Sequence, residues 1–240
     1  MMLVLCDEAD RSALWAMEAL KSRGHSPMML TGAQLASAVR WQHTVGTTVA
    51  ECEIHLSSTC LRGWNTRGVL NRLPFVPSAW QRRVGGPDRS YALQEMYAFY
   101  LSWLHSLPGR KLNPPTPQGL CGNWRHPSVW AALACQVGLP VRPFRQTSSD
   151  DPASVWEQSD ACTGSMLYVV GSRVVGPAAL ARTFEAACKR LAELANTPLL
   201  GISFMRDPDD TWKMTRVSII PDLIGGGDEL AEALAEELAS

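Results

Sequence analysis

Lysine is scarce in this chain, with four among 22 basic residues, and no run of basic residues occurs anywhere. Against 23 acidic side chains the net charge is −1, so the electrostatic footprint needed to grip a nucleic-acid backbone or an anionic membrane is missing. No segment approaches the ~20 consecutive apolar residues that cross a bilayer. The apolar start, Met1 to Cys6, runs straight into Asp7, Glu8 and Asp10, which is unlike a secretory signal. Cysteine is present seven times, an odd number without a Cys-x-x-Cys spacing. That pattern argues against a disulfide framework or a zinc ribbon and for a reducing, cytoplasmic location. Internal repeats and low-complexity tracts are also lacking. What is there is a chain 46% hydrophobic and 19% charged, which is too apolar for disorder and long enough to bury a core. Nine tryptophans stand out against four lysines. Such aromatic anchors mark either a tryptophan-rich core or an interface.

Hydrophobic periodicity organises the chain as α/β. Met2 to Cys6 reads as a strand, and Asp10 caps a helix carrying Ala13, Leu14, Ala16, Met17, Ala19 and Leu20 on one face. Gly24 ends it and the next strand begins at Pro27, which makes a βαβ unit. Thr31 is expected to cap a short helix reaching Trp41. Alternation from Val49 to Leu56 predicts a half-exposed strand, and Gly68-Val69-Leu70 a buried one ending in Asn71-Arg72. The longest helix is expected from Pro87-Asp88 to about Ser106, with Ala92, Leu93, Met96, Phe99, Tyr100, Trp103 and Leu104 facing inward. The proline-locked segment 112–117 is the expected domain boundary. Beyond it the pattern predicts a helix over 127–137, a short strand over 141–144 and a polar stretch over 146–151. Strands over 166–170 and 173–175, a helix over 177–195, strands over 200–205 and 212–220, and a helix from Asp228 complete the reading.

In order and spacing these pieces resemble the ATP-grasp superfamily, the fold of glutathione synthetase and of enzymes that add amino acids to peptide or protein carboxylates. The matching segments are GVLNRL, ALQEMYAFYLSWLHSLP, LNPPTPQGLCGNW, AALACQVGLPVRP, LYVVGSRVVG, LLGISF and VSIIPDLIGGG. The resemblance implies an α/β chain in two lobes. A preATP-grasp-like substrate lobe would span residues 1–115, and a shortened ATP-grasp-like α+β lobe without its nucleotide lid residues 116–240.

Enzymes of that family activate a carboxylate as an acyl phosphate and pass it to an amine. Lysines hold the nucleotide phosphates and carboxylates hold Mg²⁺ against them. Here no lysine lies between Leu112 and Cys188, and the first family lysine position falls at Arg125-His126-Pro127-Ser128. The interval from Thr147 to Met166 is too short for the family's glycine-rich lid and second lysine strand. The three metal positions are held by Ser203, Arg216 and Ser218. An arginine where a divalent cation would sit opposes it by Coulomb repulsion. The resemblance therefore implies a degenerate, non-catalytic protein without catalytic residues, metal or cofactor. The alternative is an ATP- and Mg²⁺-dependent carboxylate-amine ligase whose metal ligands come from Asp207, Asp209, Asp210 or Asp222. For Asp207-Pro208-Asp209-Asp210 a plain hairpin turn is the competing reading.

Other residues carry candidate chemistry. Asn71 and Arg72 end a buried strand, where open α/β sheets present ligands, and a planar guanidinium suits a carboxylate or phosphate. Arg72 pairing with Glu95 is the structural alternative. Asn71, Arg72, Glu95, Asn113 and Arg125 form the candidate ligand set. Cys52 and His55, with Cys60 and His43 nearby, fall on opposite sheet faces by alternation, which speaks against one metal taking both. Cys121 and His126 are a candidate thiol and base without a nameable third partner. Gly225-Gly226-Gly227 reads as a turn before the last helix. Trp41, Trp64, Trp80 and Trp124 lie outside the periodic helix faces and are the interface candidates. The function expected is an accessory, scaffold or binding subunit with a protein partner, a second copy of itself, or a peptide or small-molecule ligand. A complete ATP-grasp ligase in peptide modification or natural-product synthesis would be its partner, an expectation resting on resemblance alone.

Overall fold

The computed structural model describes residues 1–48, 50–57, 59–77, 88–142 and 164–240. The chain folds as two compact units, one made of Met1–Trp124 with Asp222–Ser240 and the other of Arg125–Pro221.

The first unit is built on a parallel sheet of β1 (Met2–Cys6), β2 (Pro27–Thr31), β6 (Gly68–Asn71) and β7 (Arg110–Leu112), in the order β2-β1-β6-β7. Helix α1 (Arg11–Ser22) crosses between β1 and β2. Asp10 starts it by accepting a hydrogen bond from the Ala13 amide, and Ala13, Ala16, Met17 and Leu20 are its buried stripe. The expected βαβ unit is thus present. Thr31 does cap a helix, α2 (Gly32–Ala36), but this stops short of Trp41. The chain then enters β3 (Arg40–Val45), β4 (Ala50–His55) and β5 (Cys60–Arg62), an antiparallel three-stranded sheet. Helix α3 (Arg89–Ser106) lies against β4. Leu3, Leu5, Val69, Ile54, Tyr100 and Trp103 share one core, each burying an apolar side chain worth about 1.5–3 kcal/mol.

The boundary differs from the one expected at 112–117. Leu112 ends β7, which pairs in parallel with β6, so the proline-rich segment leaves the first sheet inside the first unit and the division comes at Arg125. Nor does the last helix, α6 (Gly227–Ala239), stay with the second lobe. It packs on β6, β7 and α1, with Leu230, Ala233, Leu234 and Leu238 buried. Glycine is required at position 68 because a Cβ there would lie 2.2 Å from the Leu238 carbonyl oxygen.

The second unit is an antiparallel sheet in the order β11-β10-β8-β9, from β8 (Ser165–Val170), β9 (Arg173–Val175), β10 (Leu199–Arg206) and β11 (Trp212–Ser218). Helices α4 (Pro127–Gln136) and α5 (Ala178–Ala195) pack with it around Leu167, Val169, Ile202, Phe204, Leu191 and Trp130. Phe204 is fully buried and stacks on Phe184 with centroids 5.0 Å apart. The strand expected over 141–144 is reduced to one parallel bridge between Val141 and Met214, and residues 143 and 144 lie outside the described residues. The polar stretch 146–151 and the interval read as missing a lid lie there too. Among the described residues no helix is long and apolar enough to cross a membrane.

Candidate functional site

Strands β1 and β6 are neighbours with Leu5 opposite Asn71, so the residues just after each strand meet at the carboxyl edge of the parallel sheet. Arg72 is 5% exposed there. Its Nε donates to Asp10 Oδ2 at 2.7 Å and its Nη2 to Asp10 Oδ1 at 3.2 Å, a two-pronged pair. The same Oδ1 accepts the Ala13 amide at 3.0 Å, so one carboxylate caps α1 and holds Arg72. Glu95, expected as a ligand or as the partner of Arg72, is exposed on α3, and the acid beside the guanidinium is Asp10. The topology explains the correction: Asp10 follows the strand hydrogen-bonded to β6, while Glu95 sits on the outward side of a helix packed elsewhere.

Asn71 is 1% exposed and Asn113 is fully buried. Asn71 Nδ2 donates to the backbone carbonyls of Leu120 at 2.6 Å and Asn113 at 3.3 Å, and its Oδ1 accepts from the Leu73 amide at 3.3 Å. Its amide is therefore a tie between β6 and the 113–120 turn. Burial pushes the Cys121 thiol up to about 12, with Arg72 pulling the other way. Cys6 rises to about 11 for the same first reason, reinforced by Asp10. Burial disfavours both thiolates, which agrees with reading Cys121 as a thiol without a catalytic role. His126 caps α4 instead, its Nδ1 accepting from the Ser128 amide. Among the described residues Asp10 is the carboxylate that holds Arg72, and it is absent from the candidate ligand set. The signal is in the sequence: Asp10, the N-cap of α1, lies one short loop beyond the strand that neighbours β6.

In the second unit the three positions where the resemblance implies metal-binding residues lie on one strand pair. Ser203 is directly opposite Arg216, and Gly201 opposite Ser218. Alternation along both strands puts Gly201, Ser203, Arg216 and Ser218 on one face. This donor set is two hydroxyls and a guanidinium, and it does not fit a divalent cation, which takes carboxylate or carbonyl oxygens. Of the acids proposed to replace it, Asp209, Asp210 and Asp222 have other side-chain partners. Asp209 Oδ1 accepts from the Thr211 amide and hydroxyl, which holds its carboxyl below the usual range. Asp210, in the left-handed region at φ 63°, pairs with Arg206. Asp207 closes the same hairpin by a backbone bond to Thr211. Asp222, in the first unit, accepts from Ser12 Oγ at 2.8 Å and from the Ile224 amide at 3.1 Å.

The remaining candidates separate. Arg125 donates to the carbonyl of Ala195, the last residue of α5, at 3.2 Å and lies 5.2 Å from the Trp130 ring. It secures a helix end, and burial lowers its guanidinium from the ordinary value. Trp41 sits 4.9 Å from Phe99, Tyr100 and Trp103, with its Nε1 donating to Cys52 Sγ at 3.2 Å. It is a packing anchor within the first unit. Trp124 is 62% exposed, Trp64 falls in the short turn Gly63–Asn65, and Trp80 lies outside the described residues. Cys52 is buried on the inner face of β4, whereas His55 and Cys60 pair across the outer face. A shallow apolar groove of about 360 Å³ runs along α3, lined by Leu93, Gln94, Tyr97, Ala98, Leu101 and Pro117.

No protein-family model matches the sequence, and no curated protein is similar to it by sequence. Solved structures do match. The macrocyclase MdnC from Microcystis aeruginosa MRC, bound with the precursor peptide MdnA, has a TM-score of 0.76 at 13% identity over 99% of both chains. A Chryseobacterium gregarium RiPP-associated ATP-grasp ligase, in complex with ADP and a leader and core peptide, scores 0.67 at 11% identity over 99% of this chain and 96% of that one. The ATP-grasp ligase PsnB, complexed with minimal precursor, Mg and ADP, scores 0.64 at 15% identity over 100% and 98%. The chain therefore has the fold of the ATP-grasp ligases.

Proposed function

We propose that this chain is a non-catalytic protein on the ATP-grasp ligase fold that binds a peptide and acts as an accessory or scaffold to an active ligase in peptide modification. The observation that carries the reading is the strand pair in which Arg216 stands opposite Ser203, with Ser218 next on the same face. A guanidinium there repels a divalent cation and cannot ligate it, and nucleotide activation in this fold depends on that cation. The peptide part rests on the solved neighbours, which were crystallised with precursor or leader peptides. Trp124, exposed at 62%, is the side chain best suited to docking a protein partner. In this reading the chain works without ATP or Mg²⁺ and in the cytoplasm.

The test is nucleotide turnover by the full chain with Mg²⁺ and a peptide substrate pool, together with calorimetry of ATP with and without Mg²⁺. No turnover, and no strengthening of ATP binding by Mg²⁺, is the expected result. Turnover that disappears in Asp207→Asn, Asp209→Asn or Asp222→Asn would establish the ligase alternative and end the non-catalytic reading.

A further inference from the structure

The sheet of the second unit carries charge of one sign. Its four strands contain Arg173, Arg206, Lys213 and Arg216 and no aspartate or glutamate. Arg206 is engaged, paired with Asp210 and placed 4.8 Å from the Trp212 ring. Arg216 is exposed and, among the described residues, has neither an ion-pair nor a hydrogen-bond partner.

Its position is set by a defined irregularity. Ser203 faces Arg216 while Phe204 faces Met214, so Thr215 is an extra residue in β11. Such a bulge re-aims the side chains beside it. Thr215 Oγ1 donates to the Ser203 carbonyl at 3.2 Å and so holds the bulge in place. Directly opposed residues have Cβ atoms about 4.5–5.5 Å apart, which brings the Ser203 hydroxyl beside the root of Arg216. Ser203 Oγ has no partner among the described residues. Ser218 Oγ, next along the face, accepts from the Ile220 amide at 3.2 Å, and its own proton is left to donate. Behind these groups the face is fixed, because a Cβ on Gly201 would fall 2.5 Å from Pro221 Cβ. The ring of Pro221 fills that space as an apolar wall.

The patch thus offers a guanidinium and two hydroxyl donors, with no carboxylate in the strands around it. We infer that it is an anion-binding site, which takes an oxyanion of the phosphate or carboxylate class directly on Arg216 with Ser203 and Ser218 as flanking donors and no metal between. Arginine suits both by its planar fork. The inference rests on the strand geometry and stands apart from the non-catalytic reading: Mg²⁺-dependent turnover would remove that reading and leave this site to be judged on Arg216 alone.

The experiment is calorimetry of the full chain with two metal-free probes, tripolyphosphate for the phosphate form and a hexaglutamate peptide for the carboxylate form. Each is run on the wild type, on Arg216→Gln, on Ser203→Ala and on Arg182→Gln, which removes the same charge from an exposed position on α5. Binding of at least one probe is expected. It should weaken about tenfold or more in Arg216→Gln, the effect of losing one charge-assisted hydrogen bond, weaken less in Ser203→Ala, and be unchanged in Arg182→Gln. Because the anion meets arginine directly, added Mg²⁺ should weaken tripolyphosphate binding by neutralising the probe. Whichever probe binds identifies the anion's source. No binding of either probe, equal binding by Arg216→Gln, or equal loss in Arg182→Gln would overturn the site.

Discussion

Replacing Asp10 by alanine tests how much of the first unit depends on one carboxylate. Its two oxygens hold Arg72 at 2.7 and 3.2 Å, and one of them also accepts the Ala13 amide at 3.0 Å. The side chains are 5% and 14% exposed for Arg72 and Asp10, so solvent screens the pair weakly. Removing one partner of a buried pair costs about 3–5 kcal/mol, and losing a helix N-cap about 1 kcal/mol. Because the same atom serves both roles the two do not simply add, and a loss of about 4 kcal/mol is expected, or a fall in Tm on the order of 10 °C for a chain of this size. Urea unfolding of the wild type, Asp10→Ala, Arg72→Met and the double variant measures it. The double variant should recover about 2 kcal/mol of the summed single losses, since it leaves no buried guanidinium behind. An Asp10→Ala loss of about 1 kcal/mol or less, equal to a cap alone, would refute the reasoning.

Gly68→Ala drives a methyl into the Leu238 carbonyl, 2.2 Å away; the chain should lose about 3 kcal/mol and α6 should become the first segment trimmed in limited proteolysis. Intact packing of α6 in that variant would contradict its place on β6. Phe204→Ala, which empties a fully buried site stacked on Phe184, should cost about 3–5 kcal/mol in the same urea assay. Alkylation at pH 8 followed by mass spectrometry should modify the exposed Cys60 and Cys135. Cys6 and Cys52, pushed up to about 11, and Cys121 and Cys188, pushed up to about 12, should stay unmodified until the chain is unfolded. The sign follows from burial, which disfavours the thiolate, so reactivity appears only as pH rises through the shifted values. Rapid native labelling of Cys121 would contradict its burial.

Where hydrophobic period and cap agreed, the sequence was readable. Asp10 and the stripe Ala13, Ala16, Met17 and Leu20 define α1 without reference to anything distant, and the alternation of Cys52 and Ile54 defines β4. Strand β3 is not legible although Trp41, Thr44 and Val45 favour strands, because the helix capped by Thr31 is expected to reach Trp41 and the pairing that ends it is supplied by β4. The same holds for β7, three residues beside prolines that become a strand only by docking on β6. Helix α6 was seen in the sequence, but the unit it joins was not, since that depends on the missing Cβ of Gly68, more than a hundred residues upstream. For the site, the resemblance implies acids at the positions held by Ser203, Arg216 and Ser218. Their opposition across the strand pair depends on the bulge at Thr215, which no local pattern announces.

Two strand arginines show why burial and partner, more than residue type, separate a structural group from a binding one. Arg72 directly follows a central parallel strand, is 5% exposed and is matched by a carboxylate on the neighbouring strand's loop. An incoming anion would have to displace Asp10, undoing an ion pair and a helix cap together, so the position favoured by fold topology is closed to a ligand. Arg216 lies on an edge strand, exposed, in a sheet without acids. Among the described residues an anion arriving there displaces no ion pair and meets the hydroxyls of Ser203 and Ser218 on the same face. The cost of binding an anion is therefore lower at Arg216 than at Arg72.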